Sequence, residues 1–285
     1  NKDWQLYLST TYSWSTNKVT TSTSDTYTID DYRNGTAVVN GKSIGTFWSY
    51  QFLGLNPNNG TPMFDDYEDR KHLLAGLALG DVVQRVMVES GNRDPKFTGN
   101  LYATLTWKQL SLRTNFNYRI GSKVRLFKLY SPIISGVSSD KNVRHEFVDR
   151  WRTPDDEKFT NIPVLFSPSD PVYQHYAQHW SNGLEAKLDN IQAFASSIWD
   201  MYDLSDLRVV PGDYLRLSNM SLSYNFKAYQ LKRTPLKSLR IDFSMTNVFT
   251  IASGKLHGQS PTQAGFASVN LSERPAYTLG LNVSF

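Results

Sequence analysis

The 285 residues are 40% hydrophobic and 20% charged, and with no Cys among them a disulfide framework and thiolate metal sites are excluded. The 30 basic and 26 acidic residues are intermixed without a long basic run, so the formal charge of +4 does not point to nucleic acid. The longest apolar run, near 73–79, is far too short for a membrane-spanning helix, yet a mean hydropathy of −0.44 is compatible with crossing as strands, where only alternate residues meet lipid.

The N-terminus, Asn1-Lys2-Asp3-Trp4, has no charged region ahead of an apolar core, and implies a leader already cleaved or a start within a longer protein. From there the period is two rather than 3.6. Trp4, Leu6, Leu8, Tyr12 and Trp14, with Thr10 in phase, alternate with Gln5, Tyr7, Ser9, Thr11 and Ser13, which predicts a strand over 4–14 blurred only by Tyr7. Residues 15–96 form a long excursion, inside which 45–55 and 61–64 predict a hairpin through Asn56-Pro57-Asn58-Asn59-Gly60. Phe97, Leu101, Ala103, Leu105 and Trp107 mark the next strand. After Lys108-Gln109, Leu110, Leu112, Phe116, Tyr118 and Ile120 alternate with Ser111, Arg113, Asn115, Asn117 and Arg119, so 97–120 reads as a tight hairpin.

A second excursion, 121–212, contains a predicted short helix at 189–207, with Ile191, Phe194, Ala195, Ile198 and Tyr202 on one face. Met220, Leu222, Tyr224 and Phe226 mark a fourth strand. Upstream of it Leu215 and Leu217 fall on the other parity, which fits either a bulge or a strand end. Leu239, Ile241, Phe243 and Met245 follow. A third excursion over 250–275 leads to the last strand, where Tyr277, Leu279, Leu281, Val283 and Phe285 alternate with Thr278, Gly280, Asn282 and Ser284.

About ten residues at ~3.3 Å each, tilted by ~40°, span roughly 25 Å, the height of an outer-membrane apolar band. The 16 Tyr, 15 Phe and 7 Trp include aromatics at strand ends, where interfacial girdles lie. A soluble sandwich also alternates, but its strands are shorter, and polar faces of Ser, Thr, Asn and Arg suit a wide, wet lumen. The expectation is an all-β transmembrane antiparallel barrel with long extracellular loops and short turns at 108–109 and 227–237. Leu110, Leu112, Phe116, Leu222, Ile241, Phe243, Leu279, Leu281, Val283 and Phe285 then face lipid. Arg113, Asn115, Asn117, Arg119, Arg240 and Asp242 face the lumen, where they either line a path or pair with a plug.

Other constellations carry less chemistry. His175 and His179 have i, i+4 spacing, but Tyr176 stands where a zincin has its Glu. Asp200, Asp203 and Asp206 suggest Ca2+ in an extracellular loop but lack the spacing and Gly of an EF-hand. Asp155-Asp156-Glu157 beside Arg150 and Arg152 has no nucleophile near it and reads as a solvated loop. Tyr173, Tyr176, Trp180 and Trp199 are candidates to stack on a cargo or to pack against a lid protein.

Five stretches resemble, in order, one known family. They are 54–62 (Gly-Leu-Asn-Pro-Asn-Asn-Gly-Thr-Pro), 149–156 around Trp151-Arg152-Thr153-Pro154, 212–226 (Gly-Asp-Tyr-Leu-Arg-Leu-Ser-Asn-Met-Ser-Leu-Ser-Tyr-Asn-Phe), 239–250 ending in Thr246-Asn247-Val248-Phe249-Thr250, and 274–285 ending on Phe285. The chain is similar in these to the SusC/RagA-like TonB-linked outer-membrane transporters. The resemblance implies the C-terminal portion of a 22-stranded barrel, without its plug or TonB box. The remaining strands and the plug are then expected from another chain or fragment, with a SusD-like lipoprotein as lid and the TonB complex as energy source. It implies import of glycans or oligopeptides across the outer membrane of a Gram-negative bacterium, with no catalysis, no cofactor and no nucleic acid. The alternatives are a small hydrolase barrel using His145 with Asp149 or His175, and a passive porin or adhesin.

Overall fold

The computed structural model describes residues 3–22, 27–65, 68–130, 142–165, 198–263 and 273–285. Along them run β1 (Trp4–Trp14), β2 (Thr46–Ser49), β3 (Phe52–Leu55), β4 (Pro62–Phe64), β5 (Val88–Asn92), β6 (Phe97–Trp107), β7 (Leu110–Ile120) and β8 (Lys123–Arg125). They are followed by β9 (Val209–Pro211), β10 (Tyr214–Asn225), β11 (Ser238–Ala252) and β12 (Ala276–Ser284). The long strands form one six-stranded antiparallel sheet in the order β1-β6-β7-β10-β11-β12. The first three have the bounds read from the sequence. β10 starts earlier and β11 extends at both ends, because backbone pairing continues where the side-chain alternation fades, while β12 keeps its length and shifts by one residue.

Cross-strand rows keep the alternation in phase. Leu6, Leu105, Leu112, Leu222, Phe243 and Leu279 stand side by side on one face, and Tyr7, Thr104, Arg113, Ser221, Ser244 and Thr278 form the adjacent row on the other. The parity break in β10 is a bulge. Leu217 pairs with Phe116 but Asn219 pairs with Asn115, leaving Ser218 as an extra residue. Partners Phe116, Thr114 and Leu112 share one face of β7, so Leu217, Met220 and Leu222 are returned to a common face despite their parity.

The register is staggered. Trp4 shares a row with Trp107, Leu110, Tyr224, Ile241 and Leu281, while Leu8 shares one with Ala103, Thr114, Met220, Met245 and Tyr277. Phe285 therefore lies four residues beyond the row of Trp4, and Tyr277 six residues short of the row of Trp14. Over five strand steps of ~4.8 Å, four to six residues at ~3.3 Å each make the aromatic ends climb as in strands leaning by roughly 30–40°. Closing a sheet into a barrel requires a lean of this kind.

The apolar face of this sheet is not the core. Leu6, Leu8, Leu279 and Leu281 on the outer strands are exposed, Leu279 by 69%, and no second sheet covers them among the described residues. This removes the sandwich alternative, in which that face would be buried. Because the strands alternate in direction, all three long excursions leave the same end of the sheet, and their described parts fold together there as a cap. The cap contains the largest hydrophobic cluster, which includes Tyr50, Phe64, Val82, Tyr130, Trp199 and Tyr202. Three helices serve it: α1 (Ile29–Asn34), α2 (Leu79–Val86) and α3 (Ile198–Asp203). Thr28 and Asp31 form a capping box at the start of α1.

The expected hairpin at 45–64 is present as β3 and β4, while β2 pairs instead with β5. Of the helix expected at 189–207, the described part is α3, followed by a 3-10 turn at Asp206–Arg208. Ile191, Phe194 and Ala195 lie outside the described residues.

Two of the motif stretches meet in the cap. Gly60 has a left-handed φ of +68°, and a Cβ on it would come within 2.2 Å of the Trp151 ring. Its carbonyl accepts from Val164 N at 3.0 Å. Gly60→Ala is expected to cost about 1–3 kcal/mol through backbone strain and overpacking. Faster proteolytic cleavage within the cap, with the sheet still protected, is the result to look for.

Candidate functional site on the polar face and in the cap

All six residues expected on the lumen side share the polar face of the sheet. Asn100 Nδ2 donates to Asn117 Oδ1 at 2.7 Å and also to Asn115 Oδ1. Asn117 Nδ2 donates to Ser218 Oγ at 2.8 Å, and Ser218 Oγ donates to the Asn115 carbonyl at 3.0 Å. The bulge thus places one more hydroxyl in an amide ladder across β6, β7 and β10. Nearer the short turns, Arg240 donates through Nε and Nη2 to Asp242 Oδ1 at 2.8 and 2.6 Å, and Asn282 Nδ2 reaches Asp242 Oδ2 at 3.2 Å. Arg240 and Asp242 therefore pair with each other. Arg113 is exposed on the same face, with no ion pair among the described residues. At the cap end, Arg119 donates through Nη2 to the Arg93 carbonyl.

The cap is held above this face by buried charges that sequence reasoning missed. Arg125, on β8, donates to the carbonyls of Ser205 at 3.2 Å and of Arg33 and Trp48 at 3.1 Å, and to Ser49 Oγ at 2.8 Å. It ties the first excursion to the second. Burial above all, then the neighbouring Arg33 and Arg208 charges against the opposing Asp206, lowers its pKa to about 9. Gln259 ties in the third excursion, accepting from Phe127 N at 2.7 Å and donating to the Arg125 carbonyl at 3.1 Å. Arg208 Nη1 meets Glu146 Oε2 at 2.6 Å, with both side chains 3% exposed. Burial pushes the Glu146 carboxyl up, but Arg208 and then Arg144 outweigh it and hold the group below its ordinary value. A charged residue alternating with apolar ones, as in Lys123-Val124-Arg125-Leu126, reads as half-solvated, so no pattern in the sequence announced these contacts.

One expected contact residue is corrected. Trp199 is 0% exposed and stacks on Tyr130, with ring centroids 4.9 Å apart, because α3 inserts into the centre of the cap. Its ring serves the cap's own core and offers no surface to a cargo or a lid. Tyr173, Tyr176, Trp180, His175 and His179 lie outside the described residues. Two of the three aspartates weighed for Ca2+ do other work. Asp203 accepts from Leu129 N at 2.6 Å and Tyr130 N at 3.0 Å, and Asp206 from Phe52 N at 3.0 Å. Among the described residues no group of three His, Asp or Glu is gathered as a metal site would require. His145 and Asp149 are the exposed ends of one 3-10 turn whose middle is buried, with no hydrogen bond joining them among the described residues.

A staggered antiparallel sheet with an uncovered apolar face, a polar face and a folded cap at one end is a portion of an all-β barrel wall. No protein-family model and no curated relative matches the chain. Solved structures do. The structure of the RagAB peptide transporter is similar with a TM-score of 0.64 at 17% identity, covering 100% of this chain and 28% of that chain. The RagAB peptide importer gives 0.62 and 18% in its open-open state, and 0.63 and 17% in its closed-closed state. These matches cover 100% of this chain and 27% and 28% of those chains, so it spans little more than a quarter of their length. The likeness is one of fold.

Proposed function

We propose that the chain forms the C-terminal wall and part of the outer cap of an outer-membrane importer for oligopeptides. The observation that carries this reading is the inside-out sheet: apolar residues exposed on one face, a hydrogen-bonded polar ladder on the other, and the main hydrophobic core in the cap. In water such a face is a liability, whereas in a bilayer it is solvated by lipid and the polar face lines a lumen. On this assignment Leu110, Leu112, Phe116, Leu222, Ile241, Phe243, Leu279, Leu281, Val283 and Phe285 meet lipid, and the cap is extracellular.

Six strands cannot close a wide barrel, and β1 and β12 each leave an edge unpaired among the described residues. The rest of the wall, a plug and a TonB-contacting segment come from polypeptide other than these 285 residues, and a SusD-like lipoprotein covers the cap. Peptide is preferred to glycan because the similar structures are those of a peptide transporter. The hydrolase alternative is not favoured: no hydrogen bond joins His145 to Asp149 among the described residues, and the similar solved structures are of a transporter.

Uptake of a labelled oligopeptide by cells producing the whole assembly tests the reading. Uptake that disappears when TonB is deleted is the expected result. Equal uptake without TonB would show a passive pore, and uptake of labelled oligosaccharide alone would move the cargo from peptide to glycan.

A further inference from the structure

The cap and the polar face meet in a cavity of about 440 Å³ whose lining includes Arg93, Arg119, Lys123 and Arg125, with Phe47 and Val124 as apolar wall. No carboxylate side chain lines it among the described residues. Arg93 is matched only from outside the cavity, by Asp94 at 3.4 Å. Arg119 and Lys123 have no ion pair among the described residues, and the buried Nε of Arg119 has no hydrogen-bond acceptor. Lys123 is held by its stem. Gly91, at φ +121°, lies so close beneath it that a Cβ there would come within 2.5 Å of Lys123 Cγ.

Cations gathered around a partly dry cavity repel one another, and an anion between them relieves that cost. Guanidinium groups suit a carboxylate, which accepts two N–H bonds at once, and the apolar wall accommodates an adjoining side chain. We propose that this cavity is a subsite for a carboxylate of the peptide cargo, placed where the cap opens onto the polar face. The subsite rests on the import reading above and adds to it a preference for acidic or free C-terminal ends.

The test uses the whole transporter assembly and one oligopeptide in three forms: free C-terminal acid without acidic side chains, C-terminal amide, and amide with one Glu. At fixed low ionic strength the acid is expected to bind about tenfold tighter than the amide. The Glu-containing amide shows whether a side-chain carboxylate serves as well. Lys123→Gln and, separately, Arg93→Gln should bring the acid-to-amide affinity ratio most of the way back to one. If all three forms bind equally, or the advantage survives in both variants, the subsite is wrong and import still stands. If no form binds, the peptide reading fails and the subsite with it.

Discussion

Cutting Glu146 back to alanine is expected to destabilise the cap by about 3–5 kcal/mol, because it strands the buried Arg208 guanidinium without its countercharge. Arg208 would keep the Phe127 carbonyl, at 2.7 Å, and its place over the Tyr202 ring. Replacing both partners, as Glu146→Leu with Arg208→Met, should cost less than the single change, since no charge is then left in the interior. Amide hydrogen exchange in α3 and around Tyr130 reads both. A double variant as unstable as the single one would show that Arg208 acts mainly through its other contacts. The pair also sets a pH dependence. The folded Glu146 carboxyl lies below its unfolded value, so its contribution is complete above the ordinary carboxylate range and is lost as pH falls through the depressed folded value. Arg208 is shifted upward, burial opposing and the electrostatic pull of Tyr202 and Glu146 prevailing, so it stays charged throughout.

The second large effect is expected in the sheet. Ile241→Arg should oppose membrane assembly by about 2–4 kcal/mol, whereas Ser244→Arg, on the opposite face of the same strand, should be tolerated. The stagger matters here. Ile241 shares a row with Trp4, yet β11 lies four strand steps away, and the lean of the wall carries that row off the aromatic rim and into the apolar band. Folding yield in lipid vesicles, followed by gel mobility without heating, distinguishes the two variants. Equal yields would mean that the faces are assigned the wrong way round.

The sheet was legible because its instructions are local. A strand such as β7 writes its two faces in alternate residues, and even the bulge at Ser218 left a trace in the parity of Leu215 and Leu217. The cap was not legible for the opposite reason. Arg125 is defined by carbonyls from Arg33, Trp48 and Ser205, and Glu146 by a residue 62 positions away, so no window of sequence contains either environment. Trp199 shows the same failure from the other side. An aromatic in a long loop suggests a contact surface, but here the loops are extensive enough to build an interior and consume it. The polar-face residues were found by phase alone, although the pairing of Arg240 with Asp242 requires knowing only that they are two apart on one strand.

The position of the main hydrophobic cluster means that the molecule's two halves answer to different solvents. Unfolding the cap transfers Tyr50, Val82, Trp199 and their neighbours into water, which raises the heat capacity and gives a steep denaturant slope. In the proposed bilayer setting, the sheet's apolar side chains are already in contact with lipid when folded. The heat-capacity increment of the assembly should therefore scale with the cap, and a calorimetric scan should resolve its melting from the disassembly of the wall.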